Sequence, residues 1–176
     1  MSSAAVIRSS RMSLTSRVRV TAAAVVLAAG CTPIPPPEAS QPVITTVTAQ
    51  RTLTVFFEAV STGRYAEAAE LYGGSYEILQ GWNAGVDPAD RGGLLRAGCE
   101  INGLQCLPAR SITGVAQLET RFTFDVTFRN RAGGMFVRGP CCGADATQMP
   151  PVSVFPYTVV WTDAGFRVLD LPPYVP

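Results

Sequence analysis

Residues 121–129 read Arg-Phe-Thr-Phe-Asp-Val-Thr-Phe-Arg, which alternates polar and apolar side chains. Successive side chains of a β-strand point to opposite faces, so this period of two predicts a strand with one apolar and one solvated face. The apolar face carries Phe122, Phe124, Val126 and Phe128. We therefore expect this face to turn inward, toward a hydrophobic core.

Short apolar runs bounded by turn residues predict the other strands. The run 152–161 is apolar on both faces, which is typical of a central strand. Further strands are expected at 111–118, 135–138, 154–161 and 166–171, with turns at 131–134 and 163–165. Together with 121–129 they predict an antiparallel sheet of about four to five strands.

The first half of the chain has a helical period instead. Leu53, Phe56, Phe57 and Val60 fall at i, i+3, i+4 and i+7, the apolar stripe of an amphipathic helix. Three more helical segments are expected at 64–72, at 76–82 after Ser75, and around 94–97 after Asp87-Pro88-Ala89-Asp90. The fold class is therefore α+β, with N-terminal helices followed by an antiparallel sheet.

Two stretches near the ends of this region carry a family resemblance. Phe56-Phe57-Glu58-Ala59-Val60 is followed by Gly63-Arg64-Tyr65-Ala66-Glu67-Ala68-Ala69, and Val159-Val160-Trp161-Thr162-Asp163-Ala164-Gly165-Phe166-Arg167-Val168 closes the region. With the order of elements over 45–171, they resemble the nuclear transport factor 2-like (SnoaL-like) superfamily. The resemblance implies a cone-shaped domain, in which the N-terminal helices pack on a curved antiparallel sheet and enclose a pocket. Some members use the pocket for enzymatic proton transfer and others only for binding, so the fold does not decide the function.

The first 30 residues have the order of a bacterial signal peptide. Basic residues up to Arg19 precede an apolar run of ten residues, 20–29, and then Gly30-Cys31. A spanning helix needs about 20 apolar residues, so this run is too short to remain in the membrane. Leu27-Ala28-Ala29-Gly30-Cys31 resembles the lipobox of bacterial lipoproteins, which implies cleavage before Cys31 and lipid attachment to it. Translation starts at Met1 or at Met12.

Residues 31–44 are rich in proline and poor in apolar side chains, which predicts an extended tether. The predicted organisation is a signal peptide at 1–30, a tether at 31–44 and a globular α+β domain at 45–176. Two or three acyl chains on Cys31 suffice for stable membrane anchoring. We expect an extracytoplasmic protein, lipid-anchored to the cell membrane or outer envelope.

Composition excludes several classes of function. The chain has no histidine and no lysine, so all 14 basic residues are arginine. Beyond residue 30, ten arginines against thirteen acidic residues leave a charge of about −3, which gives no electrostatic footprint for nucleic acid. The absence of histidine removes the usual general base and the commonest metal ligand. We therefore expect no nucleic-acid partner, no metal and no cofactor.

Cys99, Cys106, Cys141 and Cys142 form an even set once Cys31 is assigned to the anchor. In an exported chain such a set predicts two disulfides. Adjacent cysteines bridge each other only with a distorted peptide, so we expect Cys141 and Cys142 to reach separately to Cys99 and Cys106. The alternative pairs Cys99 with Cys106 and leaves a strained or free pair. The spacing fits poorly with a four-thiolate zinc site, and the C-x-x-C of redox proteins is absent.

Three carboxylates are candidates for catalytic groups. Asp125 lies on the polar face of the 121–129 strand, where a surface ion pair with Arg121 or Arg129 is the expected role. Glu77 and Glu100 lie in less regular segments with no visible partner. None of the three is predicted to be catalytic.

Phe155, Tyr157 and Trp161 share one face of the predicted 154–161 strand and are the candidate pocket residues, with core packing as the alternative. The leading hypothesis is a non-catalytic, lipid-anchored domain that binds a small apolar ligand or an envelope protein. One alternative is a cofactor-free lyase, isomerase or hydrolase using a cavity carboxylate with Tyr157. Another is a structural component of the envelope.

Overall fold

The computed structural model of the chain describes residues 43–176. The predicted signal peptide, Cys31 and nearly all of the predicted tether lie outside the described residues and stay predictions. Within the described part of the chain, no helix combines the length and the apolar character that a membrane crossing requires.

Four helices occupy the first half of the described region. They are α1 (Thr46–Ser61), α2 (Tyr65–Leu71), α3 (Glu77–Trp82) and α4 (Arg91–Glu100). Thr45 caps α1 by accepting a hydrogen bond from the Thr48 backbone N–H, and Asp90 caps α4 by accepting one from Gly93 at 2.8 Å. Such side-chain caps satisfy backbone donors that the first helical turn leaves free. The predicted helical segments are confirmed.

The second half forms a four-stranded antiparallel sheet. Its strands are β1 (Ala109–Leu118), β2 (Arg121–Phe128), β3 (Phe155–Thr162) and β4 (Gly165–Val168), in the spatial order β1-β2-β3-β4. Arg121 lies opposite Val160, and Trp161 lies opposite Phe166. β3 is central, as its two apolar faces predict. The α+β class is confirmed.

The strand predicted at 135–138 is not formed. Isolated bridges join Arg129 to Met135 and Arg138 to Val152. β2 pairs with the more distant β3 instead. Pro140 follows the segment closely and has no N–H to donate, which limits extension of the ladder.

The two predicted apolar stripes meet in one core cluster. All four apolar side chains of β2 are fully buried, and the side chains of the predicted α1 stripe are at most 1% exposed to solvent. The ring of Phe57 in α1 meets the rings of Phe128 and Tyr157 edge-on, at centroid distances of 4.9 and 4.8 Å. These contacts join α1 to β2 and β3.

The end of the chain lies against the connection between α4 and β1. Gln105 donates its backbone N–H to Pro173 at 2.7 Å, and Val175 donates to Gly103 at 3.0 Å. Gly103 has a φ of +79°, and a Cβ there would overlap the carbonyl oxygen of Val175. The close approach of these two backbones requires glycine.

Candidate functional site

The cysteines do not form the expected crossed pairs. Cys99 is bonded to Cys106, with their Cα atoms 5.5 Å apart, and Cys141 and Cys142 are free thiols. The expected pairing of Cys141 and Cys142 with Cys99 and Cys106 is therefore wrong, and the structure has the alternative, in which Cys99 is bonded to Cys106 and the adjacent pair is free. The chain reverses at Gly103, and Leu104 donates its N–H to Gly98 at 3.0 Å, so Cys106 returns to the end of α4.

A groove of about 410 Å³ lies between α1, the end of α2 and the β3–β4 hairpin. Its apolar lining consists of Val43, Val55, Leu71, Trp161 and Phe166. Its polar lining consists of Thr48, Arg51 and Thr52. We call this site the Trp161 groove. It combines an apolar floor with one cationic side chain.

The β3–β4 hairpin positions the aromatic part of the groove. Trp161 and Phe166 are cross-strand partners, and their rings meet edge-on at a centroid distance of 4.9 Å. The tight turn between the strands has Gly165 at a φ of +97°. The short hairpin thus places a half-buried indole beside a buried phenyl ring at the edge of the core.

A second stripe on α1 supplies the opposite wall. Thr48, Thr52 and Val55 follow each other at i, i+4 and i+7, and Arg51 lies beside them. Residues at this spacing share one helix face. This wall was not predicted, because the stronger stripe through Leu53 dominates the pattern, although the second period is visible in the sequence.

Tyr157 and Phe155, the other two candidate pocket residues, lie in the core instead. The hydroxyl of Tyr157 donates to the carbonyl of Leu171 at 3.2 Å, and burial raises the pKa of Tyr157 well above its ordinary value. Phe155 packs against Phe128 and Phe136 at ring-centroid distances of 5.7 and 5.8 Å. Of the three predicted residues, Trp161 is the one that lines the groove.

A larger cavity of about 580 Å³ lies beside the disulfide. Its polar lining includes Tyr65, Glu100, Gln105, Arg129 and Arg131. Partial burial, followed by the nearby carboxylate of Glu100, raises the pKa of Tyr65. This cavity was not predicted from the sequence, since its walls come from segments far apart along the chain.

Asp125 lies exposed on the outer face of β2, as its place in the alternation predicts. The expected ion pair with Arg121 or Arg129 is wrong. Within residues 43–176, the ion pair found is that of Arg64 with Glu67, at 2.6 Å on the surface. Asp125 is therefore a solvated charge.

The remaining acidic groups show no acid–base arrangement around Tyr157. Glu77 lies exposed in the first turn of α3, and Glu100 lines the larger cavity. The carboxylate of Asp170 accepts the Thr158 backbone N–H at 2.6 Å. In the part of the chain that the structure describes, no charged residue is buried in the core, and no three His, Cys, Asp or Glu side chains cluster as metal ligands would.

The Trp161 groove is thus the site that combines a predicted residue with an apolar lining. Its chemistry suits binding through apolar contact, with one positive charge available to a polar end of the ligand. No protein-family model matches this chain, and no curated protein matches it.

Proposed function

We propose that this chain is a lipid-anchored lipoprotein of the cell envelope, whose folded domain binds a small apolar ligand in the Trp161 groove without catalysing a reaction. The observation that carries the binding proposal is the lining of the groove, where five of the eight residues around a volume of about 410 Å³ are apolar. Pockets of about 300–1,000 Å³ with mainly apolar walls are typical of small-molecule sites.

Arg51 narrows the class of ligand. It lies exposed at the groove and makes no ion pair within residues 43–176. A guanidinium binds a carboxylate or phosphate through paired hydrogen bonds. An amphiphile with one acyl chain and an anionic head group fits this arrangement, because its chain would cover Trp161 and its head group would meet Arg51.

The absence of an acid–base pair in the described core favours binding over catalysis. General acid–base catalysis needs a carboxylate or an equivalent base within about 3 Å of the proton that it moves. The Tyr157 hydroxyl is instead hydrogen-bonded to the Leu171 carbonyl. The half-buried carboxylate of Asp170 contributes to the raised pKa of Tyr157 but accepts the Thr158 backbone N–H rather than the Tyr157 hydroxyl. The alternative of a cofactor-free enzyme has less support from this geometry.

The proposal extends to the finer fold, a cone formed by the sheet and the helices. β1 has register shifts at Ala109/Ser111 and at Gly114/Ala116. Such irregularities bend a sheet and increase its twist. The ring contacts of Phe57 with β2 and β3 support helices that cover the apolar face of a curved sheet.

Trp161→Ala is expected to weaken binding of a long-chain fatty acid at least about tenfold, since removing an indole from an apolar site costs more than about 1.4 kcal/mol. Isothermal titration calorimetry with palmitate measures this change. Trp82→Ala is the matched control, because Trp82 stacks on Tyr174 outside the groove and is the other tryptophan of the chain. Equal affinities for all three proteins would refute the site.

Binding of a second, uncharged ligand distinguishes the contribution of Arg51 from that of the apolar side chains of the groove. Arg51→Gln should weaken palmitate binding and leave the binding of the neutral alcohol of the same chain length unchanged. Capture of an envelope protein by the wild type and not by Trp161→Ala, without fatty-acid binding, would point to a protein partner instead.

Cys31→Ser is expected to move the protein from the membrane fraction to the soluble extracytoplasmic fraction, because an acyl chain contributes about 0.8 kcal/mol per buried CH₂. Intact mass spectrometry of the wild type should show a chain that starts at Cys31 and carries acyl groups. Cys142→Ser is the control for loss of a cysteine elsewhere. A wild-type chain without acyl mass would contradict the anchor.

A further inference from the structure

Cys141 and Cys142 lie next to each other in the long connection between β2 and β3. Their Sγ atoms are 2.8 Å apart, while Cys99 and Cys106 are already bonded to each other. An ordinary disulfide bond is about 2.0 Å long, so the two free sulfurs are within about 0.8 Å of bonding distance. They form a pair of nucleophiles that the proposed function does not use.

A tight turn holds the two thiols together. Ala144 donates its backbone N–H to Cys141 at 3.0 Å, and both central residues of this turn, Cys142 and Gly143, have positive φ of 59° and 87°. Positive φ at both central positions is the backbone of a type I′ turn. This conformation costs a non-glycine residue roughly 1–2 kcal/mol, so Cys142 is an unusual choice for its position.

A disulfide between neighbours differs from the structural disulfide of this chain. Adjacent Cα atoms are about 3.8 Å apart, below the usual range of about 4.4–6.8 Å for bridged cysteines. The Cα atoms of Cys99 and Cys106 lie 5.5 Å apart, inside that range. A bond between Cys141 and Cys142 would therefore be strained, and strained exposed disulfides are the ones that are easily reduced.

We propose that Cys141 and Cys142 form a reversible oxidation site, which closes to a vicinal disulfide by exchange with a small-molecule disulfide and reopens to a dithiol. Cys142 is the more exposed thiol and attacks first. Its thiolate displaces one thiolate from the small disulfide and forms a mixed disulfide. Cys141 then attacks the Cys142 sulfur and displaces the second thiolate.

The exchange is balanced without another reactant. The two cysteines lose two protons and two electrons, and the small disulfide is reduced to two thiols. The hydrogen bond to Cys142 raises the pKa of Cys141, which is consistent with Cys141 as the second, resolving thiol.

The test uses the full chain in detergent micelles, equilibrated with glutathione buffers of increasing oxidising strength, then alkylated and digested with trypsin. Residues 139–167 form one tryptic peptide with only Cys141 and Cys142, and 97–110 form another with only Cys99 and Cys106. The 139–167 peptide should lose two hydrogens on oxidation. It should regain two alkylation sites in buffers where the 97–110 peptide stays closed.

Single variants distinguish ring closure from ordinary thiol oxidation. Cys141→Ser and Cys142→Ser should each stop at a stable mixed disulfide with glutathione. Phenylarsine oxide binds two neighbouring thiols, so it should protect Cys141 and Cys142 of the reduced wild type from alkylation. It should not protect the remaining thiol of either single variant. Lasting glutathione adducts on the wild type, a cross-link between the two peptides, or opening of both pairs in the same buffer would overturn the proposal.

Discussion

Phe57→Ala is expected to lower the free energy of unfolding by about 3–5 kcal/mol, the usual cost of deleting a buried aromatic ring. Phe57 is 1% exposed. Its ring lies 5.4, 4.9 and 4.8 Å from the rings of Phe56, Phe128 and Tyr157. The alanine would remove these ring contacts between α1 and the two central strands and leave a cavity. Urea denaturation followed by far-ultraviolet circular dichroism measures the change.

Two control variants test whether the loss of stability comes from the buried ring of Phe57. Phe57→Leu keeps most of the apolar volume and should cost less than Phe57→Ala. Ile78→Ala removes an apolar side chain that is 51% exposed on α3, and should change stability by no more than about 0.5 kcal/mol. If Phe57→Ala and Ile78→Ala had similar effects, the ring cluster would not be the centre of the core.

The parts of the fold that sequence predicted best depend on side-chain period. Phe122 to Phe128 at a spacing of two, and the α1 stripe at helical spacing, both lie in the core. The spacing of apolar side chains indicates which face of a helix or strand is buried away from water. Burial of apolar surface is the main favourable contribution to the free energy of folding. The same signal places Asp125 on the outer face.

The spacing of apolar side chains did not predict which strand pairs with β2. Residues 135–138 follow β2 closely and have strand-like side chains, but β3 takes the place beside β2. β3 is eight residues long and pairs with β2 at six registered positions, although it carries Pro156 opposite Asp125, whereas the nearer segment has only four residues. The bond between Cys99 and Cys106 was predicted only as the alternative pairing, because it depends on the chain reversal at Gly103, which cysteine spacing alone does not reveal.

The sequence singled out one residue, Trp161, that lines the Trp161 groove. Strand parity puts Phe155, Tyr157 and Trp161 on one face, but parity does not say how far along the strand the covering elements extend. The rings of Phe57 and Phe128 cover Tyr157, whereas Trp161 lies near the hairpin, at the border of this cover. The other wall of the groove comes from α1, and its contribution appears only once the elements are assembled.

Gly103→Ala is expected to destabilise the domain by roughly 2–4 kcal/mol, from the positive φ and from the hydrogen bonds that the displaced C-terminal segment would lose. Gly103 has a φ of +79°, and its Cβ would meet the Val175 carbonyl oxygen. The hydrogen bonds at stake are Val175 to Gly103 and Gln105 to Pro173. Urea denaturation gives the total cost, and amide hydrogen exchange at Val175 and Gln105 reports release of the segment.

Substitutions at two other glycines distinguish the cost of the positive φ from the cost of displacing the C-terminal segment. Gly133 has a φ of +85°, and a Cβ added there would have no atom within 4 Å, so Gly133→Ala should cost only the roughly 1–2 kcal/mol of the left-handed backbone. Gly85 also has open space and no positive φ, so Gly85→Ala should be close to neutral. The difference between Gly103→Ala and Gly133→Ala then measures the backbone contact with the C-terminal segment. If that difference were zero, and the Val175 amide stayed protected in Gly103→Ala, the close approach of the two segments would contribute nothing to stability.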